Sequence, residues 1–266
     1  VIRGGNTING DNSPLYVLDG FIMEDFDPGL VDPSDIESMS VLKDASATAL
    51  YGNRAANGVV IVTTKKGTIG AKPKMEIFLK TAINQFNTGN FEIMNSQQLY
   101  DFHSQLGNTN PWFTEDLLER DYDWIGGATR DGLVKDASIR FTSATETHNL
   151  LLSSGYYGEE GTVIGNDLDR YNFRLNLDYK ITDKLTIKPK LCFVFDKKER
   201  QNQASLYEAY LNMPWDLPFA EDGSVINANQ SQGDDWLGRD KRNFFFDRQW
   251  NYSDSRSFNL FASFDF

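Results

Sequence analysis

Few residues in this 266-residue chain have the types and spacing that catalysis or metal binding requires. The two histidines, His103 and His148, are far apart, and neither has a second ligand at metal spacing. The single cysteine, Cys192, excludes an internal disulfide framework and a zinc ribbon. The sequence contains no G-x-S-x-G, H-E-x-x-H or Walker motif. We therefore expect no catalytic residue, metal site or cofactor, and predict that the chain is not an enzyme.

Two acidic pairs are further candidates for chemistry. Glu159 and Glu160 could act like glycosidase carboxylates only if another wall placed a carboxylate opposite them. In a hairpin turn they are better interpreted as solvated charge. Asp234 and Asp235 lie in an acidic segment that lacks the Glu at the last position of a calcium-binding loop, so we also expect them to be solvated.

Four tryptophans lie in long connections between predicted strands, where an aromatic ring can stack on a sugar ring. They are Trp112, Trp124, Trp215 and Trp236. The alternative is that each ring is buried in a small core within its own loop, and we favour that alternative for any single residue. The four residues remain candidates for contact with a substrate.

The composition narrows the class of partner. A formal net charge of −12 repels phosphate backbones, so we expect no nucleic-acid partner. No apolar run approaches the roughly 18 residues of a membrane helix. A polar average composition does not exclude a transmembrane β-barrel, because its strands alternate apolar and polar residues. The chain begins at Val1 without a signal segment, so we expect a mature or truncated piece.

From Lys74 onward the sequence alternates with the period of a β-strand. The segment YNFRLNLDY, residues 171–179, places Tyr, Phe and Leu on one face and Asn, Arg and Asp on the other. Five more segments alternate similarly: residues 75–83, 138–145, 150–157, 185–195 and 257–266. Most are about nine to eleven residues long, which is enough to cross a bilayer when the strand is tilted.

Connection lengths and face composition favour a membrane barrel over a soluble antiparallel sheet with one wet face. Short and long connections alternate along the chain, as the periplasmic turns and external loops of outer-membrane barrels do. Tyr171 and Tyr179 lie at the ends of the apolar face, as in an interfacial girdle. The sequence thus predicts a transmembrane antiparallel β-barrel. About six strands cannot close one, since the smallest natural barrels have about eight, so we expect a portion of a larger protein.

The first 68 residues predict a different, α/β unit. PLYVLDG is a short strand that ends in an Asp-Gly turn signal, and IESMSVLK alternates as a strand. Asp44 is placed to cap a helix of small residues that ends near Gly52. VVIVTT then has the β-branched composition of a strand buried on both faces.

Three segments of this unit resemble the plug domain of SusC/RagA-type TonB-dependent outer-membrane transporters. They are VIRGGN, PLYVLDG and the long run DIESMSVLKDASATALYGNRAANGVVIVTTKKG. The resemblance implies that residues 1–68 form the C-terminal part of the plug. It also implies that residues 74–266 form the start of a 22-stranded barrel with long extracellular loops. The plug signature comprises Asp19, Gly20, Lys43, Asp44, Tyr51, Gly52, Arg54, Asn57 and Gly58.

The resemblance also implies a function, a location and partners. The family imports large nutrients, glycans or oligopeptides, across the Gram-negative outer membrane. The inner-membrane TonB system energises import, and a SusD-like surface lipoprotein acts as a lid, to which the loop tryptophans could also bind. A signalling receptor of the same family and a soluble carbohydrate-binding β domain are the alternatives. Most signature residues are predicted to build the plug, with Arg54 pairing a carboxylate such as Asp19 or Asp35.

Overall fold

The computed structural model describes most of the chain. It covers residues 13–23, 31, 35–42, 51–55, 57–201, 204–229, 236–238 and 242–266, without the side chains of residues 53, 54, 204 and 205. The predicted helix near residues 44–50, with Lys43 and Asp44, lies outside the described residues. So do the side chain of Arg54 and the acidic pair Asp234 and Asp235.

Four strands form a small mixed sheet, called the small sheet below, with the order β2-β1-β4-β3. They are β1 Leu15–Leu18, β2 Phe21–Met23, β3 Ile36–Leu42 and β4 Val59–Thr64. β4 pairs with β1 in parallel and with β3 antiparallel, so it is central. Its β-branched residues suit that position, because both faces are covered, as the sequence predicted.

Two glycine turns set the ends of these strands. The predicted Asp-Gly turn joins β1 to β2, and Asp19 and Gly20 both have positive φ, 49° and 93°. This is the geometry of a tight two-residue hairpin, which Asp tolerates and Gly favours. Before β4, Gly58 has φ 94° and donates its N–H to the carbonyl oxygen of Ala55 in a 3₁₀ turn, Gly52–Ala55.

Six longer strands form a second sheet, called the wall below. They are β5 Lys74–Asn84, β6 Gly132–Ala144, β7 His148–Glu160, β8 Asp167–Thr182, β9 Leu185–Gln201 and β10 Tyr252–Asp265. Each strand pairs antiparallel with the next in sequence, from β5 to β10. The six predicted strands are all present, in a meander.

The wall strands are longer than the alternation predicted. β8 and β9 have 16 and 17 residues, and their ladder continues to the pair Asp167 and Glu199. Main-chain pairing does not need an apolar face, and pairs such as Asp169 opposite Lys197 add cross-strand attraction. The extension leaves only residues 161–166 between β7 and β8, where a connection about twice as long was expected.

The two faces of the wall differ as the alternation predicted. The outer face carries exposed apolar side chains, including Leu79 at 76%, Ile83 at 68% and Phe258 at 63% exposure. The inner face carries polar side chains and is covered by the small sheet. Among the described residues no second sheet packs on the outer face, so the soluble-sandwich alternative loses its main requirement.

The long connections β5–β6 and β9–β10 fold together into one cluster, called the loop unit below. Its helices are α1 Ser96–Gln105, α2 Trp124–Ala128, α3 Ala204–Leu211 and α4 Phe244–Asp247. α2, α3 and α4 share a buried core that includes Trp124, Ala209, Trp236 and Phe244. None of the helices in the described part of the chain has the length and apolar character needed to cross a membrane.

Candidate functional site

The contact between the small sheet and the inner face of the wall contains two buried ion pairs. The tight β1–β2 turn points Asp19 at the wall. Its Oδ1 accepts the backbone N–H of Thr64 at 2.8 Å, and its Oδ2 accepts the Thr64 hydroxyl at 2.7 Å. These two hydrogen bonds within the small sheet orient the Asp19 carboxylate independently of the wall.

Three wall residues complete the Asp19 cluster. Asn176 Nδ2 donates to Asp19 Oδ2 at 3.0 Å, and Arg174 Nη1 lies 3.5 Å from the same oxygen. Lys190 Nζ donates to the Asp19 carbonyl oxygen at 2.7 Å. The side chains of Arg174 and Asp19 are 5% and 6% exposed, so this ion pair is largely shielded from water.

Asp35 makes a second buried pair with the wall. Arg140 Nη1 donates to Asp35 Oδ1 at 2.9 Å, and the Ser153 hydroxyl donates to Oδ2 at 2.6 Å. Arg140 also donates from Nε and Nη2 to Glu76 Oε2, at 3.1 and 3.0 Å. One arginine thus joins a carboxylate of the small sheet to a carboxylate of the wall.

The segment after β4 is held against the wall by amide contacts. Asn149 accepts the N–H of Gly67 at 3.1 Å and donates to its carbonyl oxygen at 3.0 Å. A Cβ on Gly67 would lie 2.9 Å from both Ala144 Cβ and the Ser143 backbone, so the close approach requires glycine. Nearby, Lys66 and Asp178 form a more exposed pair at 3.8 Å.

An apolar patch lies between these polar clusters. Cys192 and Val194 of β9 are buried against Leu18, Val60 and Val62 of the small sheet. The inner face therefore contains apolar residues where the small sheet covers it, which the alternation alone did not distinguish from a lumen lined with water. The contact combines apolar burial with ion pairs that are costly to break singly.

This arrangement can hold a movable element but offers little chemistry. Among the described residues no group of three His, Cys, Asp or Glu could hold a metal ion. Both buried carboxylates are paired with arginines, and each also accepts a hydroxyl hydrogen bond, Asp19 from Thr64 and Asp35 from Ser153. This contact, called the seat below, joins specific partners, buries Cys192 and Val194, and is flanked by the more exposed ion pair of Lys66 with Asp178.

The signature residues have different places in this geometry. Asp19 and Gly20 form the turn at the seat. Gly52, Asn57 and Gly58 belong to the turns before β4, and Tyr51 packs on the core of Leu15, Val17, Ala55 and Val59. Asp19 and Asp35 accept hydrogen bonds from the wall arginines Arg174 and Arg140. The predicted pairing with Arg54 involves a side chain outside the described residues.

Sequence reasoning missed most wall partners. Arg174 was recognised only as a polar-face residue, while Arg140, Asn149 and Ser153 were not singled out. The available signal was strand alternation, which places Arg174 and Asn176 on the same face. It could not show which of those residues meets Asp19, because the partners are 155 and 157 positions apart.

The four candidate tryptophans lie in the loop unit, and three are buried. Trp124, Trp215 and Trp236 are 3%, 1% and 2% exposed. Trp124 donates from Nε1 to the carbonyl oxygens of Met213 and Asp216, and its ring meets Trp236 edge to face at 5.5 Å. This burial favours the packing interpretation for the three. Trp112 is half-buried and contacts the ring of His103.

Asp216 connects two parts of the loop unit. Its carboxylate accepts the N–H groups of Leu237 at 2.7 Å, Gly238 at 2.8 Å and Met213 at 3.2 Å. Burial raises the pKa of Asp216 to about 6, although these backbone donors act in the opposite direction. The residue therefore titrates where most exposed carboxyls are already ionised.

Comparison with known proteins links both sheets to one family. The family model of the TonB-dependent receptor plug domain matches residues 1–59. TonB-dependent receptor P26 of Formosa agariphila is 31% identical over 247 residues, 88% of this chain and 24% of that protein. TonB-dependent receptor SusC of Bacteroides thetaiotaomicron is 33% identical over 66% of this chain and 18% of its own length.

Solved structures show the same architecture. The RagAB peptide importer in its closed-closed state aligns with a TM-score of 0.66 and 26% identity, over 82% of this chain and 29% of that chain. The chain spans about a quarter or less of the length of the two TonB-dependent receptors named above. Because the matches cover 88% and 82% of this chain, they include residues of both the small sheet and the wall.

Proposed function

Since the chain belongs to the SusC/RagA-type TonB-dependent receptors, we propose that the protein it comes from imports a large nutrient across the outer membrane. Residues 1–68 act as part of the plug and residues 74–266 as the beginning of the barrel. The nutrient is a glycan or an oligopeptide. TonB supplies the energy, and a SusD-like lipoprotein covers the extracellular mouth.

One observation carries this proposal: the small sheet is seated on the polar inner face of a wall whose outer face is apolar and exposed. An outer face with Leu79 and Phe258 mostly exposed suits contact with lipid hydrocarbon, whereas a soluble domain rarely exposes so large a patch. The buried pairs Asp19–Arg174 and Asp35–Arg140 give the seat a defined position. Force applied to the small sheet could release it by exposing these pairs to water.

The test is growth on single nutrients. A strain that lacks the complete gene is grown on a panel of purified glycans and peptides, beside the wild type and a strain without functional TonB. The proposal expects the gene deletion and the TonB defect to abolish growth on the same nutrient, with complementation by the intact gene. Normal growth of the deletion strain on every nutrient that needs TonB would overturn it.

A further inference from the structure

The loop unit contains a cavity of about 560 Å³ between the segment of residues 86–95 and helix α2. This volume lies in the range that binds small molecules or single peptide side chains. Its buried side includes Trp124 and Ile125, which are 3% and 7% exposed. Its mouth carries Phe91, Ile93 and Met94, all substantially exposed. The cavity thus has apolar surfaces on its buried side and at its mouth, while the rest of its lining includes the neutral polar residues Asn87, Thr88, Asn95, Thr129 and Asn212.

The charged groups at this cavity all have one sign. Glu92, Asp121 and Asp123 line it, and the described lining residues include no lysine, arginine or histidine. Asp121 Oδ1 accepts the N–H of Ser96 at 2.9 Å, and Asp123 Oδ1 accepts the N–H of Gly126 at 2.8 Å. These bonds hold two carboxylates in place while the second oxygen of each takes no hydrogen bond from a described residue.

We infer that this cavity binds a lysine or arginine side chain of an oligopeptide. The long alkyl stem of such a side chain packs on Ile93, Met94 and Phe91, while its charged end meets the carboxylates. The exposed ring of Phe91 also attracts a cation placed over its face. Charge and apolar character therefore select the same ligand group.

The cavity suits a peptide better than a neutral sugar. Sugar recognition by stacking needs exposed aromatic faces, and Phe91 is the one mostly exposed ring among the described aromatic residues that line the cavity. Trp124 is packed edge to face against Tyr122 and Trp236. The exposed mouth residues Ile93 and Met94 offer aliphatic contact instead. The inference deepens the proposed import function and rests on it for the fate of the bound peptide, whereas the binding itself is independent of transport.

The test uses the complete protein in lipid nanodiscs and three capped peptides. The probes are acetyl-Ala-Leu-Lys-Leu-Ala-amide and its analogues with norleucine or glutamate in place of lysine, so that only the central side chain differs. We expect the lysine peptide to bind about tenfold more tightly than the glutamate peptide, and high salt to reduce that difference. A neutral linear glucose pentasaccharide is the competing probe.

Matched variants identify the cavity. Glu92→Gln should weaken binding of the lysine peptide by about threefold and Glu92→Gln with Asp123→Asn by about tenfold, since each removes one exposed attraction. Glu221→Gln makes the same charge change at an exposed turn away from the cavity and should leave affinity unchanged. Tryptophan fluorescence of each variant reports whether the loop unit remains folded.

Equal affinity for the three peptides, equal effects of Glu92→Gln and Glu221→Gln, or displacement of the peptide by the pentasaccharide would each overturn the inference. Failure of the import function gives a different result. If lysine peptides bind at the cavity but the deletion strain grows normally on all nutrients, only the transport proposal fails. If growth depends on the gene and TonB but no lysine preference is found, only the cavity inference fails.

Discussion

Asp19 and Asp35 place negative charge at a contact between two sheets, where each meets a buried arginine from the opposite side. A buried ion pair contributes little net stability compared with apolar packing, but removing one partner leaves an uncompensated charge at a cost of about 3–5 kcal/mol. Such a contact specifies one position for the small sheet and resists small displacements. Once water enters, both charges are hydrated and the resistance falls.

Asp19→Asn should loosen the small sheet in the complete protein. Asn tolerates the positive φ of Asp19 and can still accept the N–H of Thr64, but it removes the negative charge that faces Arg174. We expect a loss of up to about 3 kcal/mol, measured as faster hydrogen exchange of β1 and β4 amides.

Asp178→Asn is the control, because its pair with Lys66 is longer and more exposed and should contribute less than about 1 kcal/mol. Equal exchange in the two variants would show that the buried pair does not hold the small sheet.

Asp216 predicts a pH dependence of the loop unit. Its pKa is about 6 in the folded chain against an ordinary value of 3.8, so the folded state retains its proton between those values. The contribution of Asp216 to the stability of the loop unit is therefore most favourable below pH 3.8. It falls by at most about 3 kcal/mol as pH rises through about 6. Urea unfolding of the loop unit, followed by fluorescence of its buried tryptophans, measures the slope.

Asp216→Asn should remove that slope. Asp222→Asn is the matched control, because hydrogen bonds with Ser224 lower the pKa of this exposed residue and move its titration away from the same window. A stability that rises between pH 4 and pH 6 in the wild type would contradict the account.

At the residue scale, the sequence predicted the backbone conformation of single residues better than it predicted which side chains pair with each other. The Asp-Gly pair at residues 19–20 predicted a turn because few residues adopt its backbone angles. The pairing of Asp35 with Arg140 depends on how two sheets dock, which no local pattern contains.

At the scale of elements, strand existence was predictable and strand length was not. The alternation of apolar and polar residues predicted only residues 171–179, the part of β8 that has one apolar face. The observed strand is Asp167–Thr182. The additional residues include charges on both faces, such as Asp169 and Arg170, and are held by main-chain pairing and cross-strand ion pairs such as Arg170 with Asp196. The part of a hairpin that extends into water has no apolar face, so its sequence does not show the alternation that predicts a strand.

The alternation of β8 can be measured directly. Spin labels placed singly at residues 172–177 of the complete protein in lipid vesicles should alternate in oxygen accessibility. Labels at Phe173, Leu175 and Leu177 should contact lipid and be accessible to oxygen, whereas labels at Asn172 and Asn176 should not. The labels on the inner face are the internal control. Uniform accessibility, or the opposite phase, would contradict a wall that faces lipid.

The loop unit shows a second limit of sequence reasoning at this scale. For the tryptophans in long connections, burial within their own loop was favoured over substrate contact, and Trp124, Trp215 and Trp236 are buried. The core around Trp124 and Trp236 is formed by two connections, far apart in sequence, that fold against each other around α2, α3 and α4, and not by a single loop. Composition identified the aromatic residues, but only the tertiary structure showed that they form a core.

At the scale of the whole molecule, the small sheet, the wall and the loop unit together form part of a plugged barrel. The family was predictable because the segment from Asp35 to Gly67 is long and specific. The seat between the sheets was not, because it depends on contacts across more than a hundred positions.

The central claim is that the small sheet closes a pore whose wall begins with β5. Electrical conductance in planar bilayers tests it most directly, with the complete protein compared with a variant that lacks residues 1–68. Heat-modifiable migration on a gel verifies that each barrel is folded before insertion. The account predicts large, steady conductance steps for the variant and almost none for the intact protein. A folded, inserted variant that stays as closed as the intact protein would contradict it.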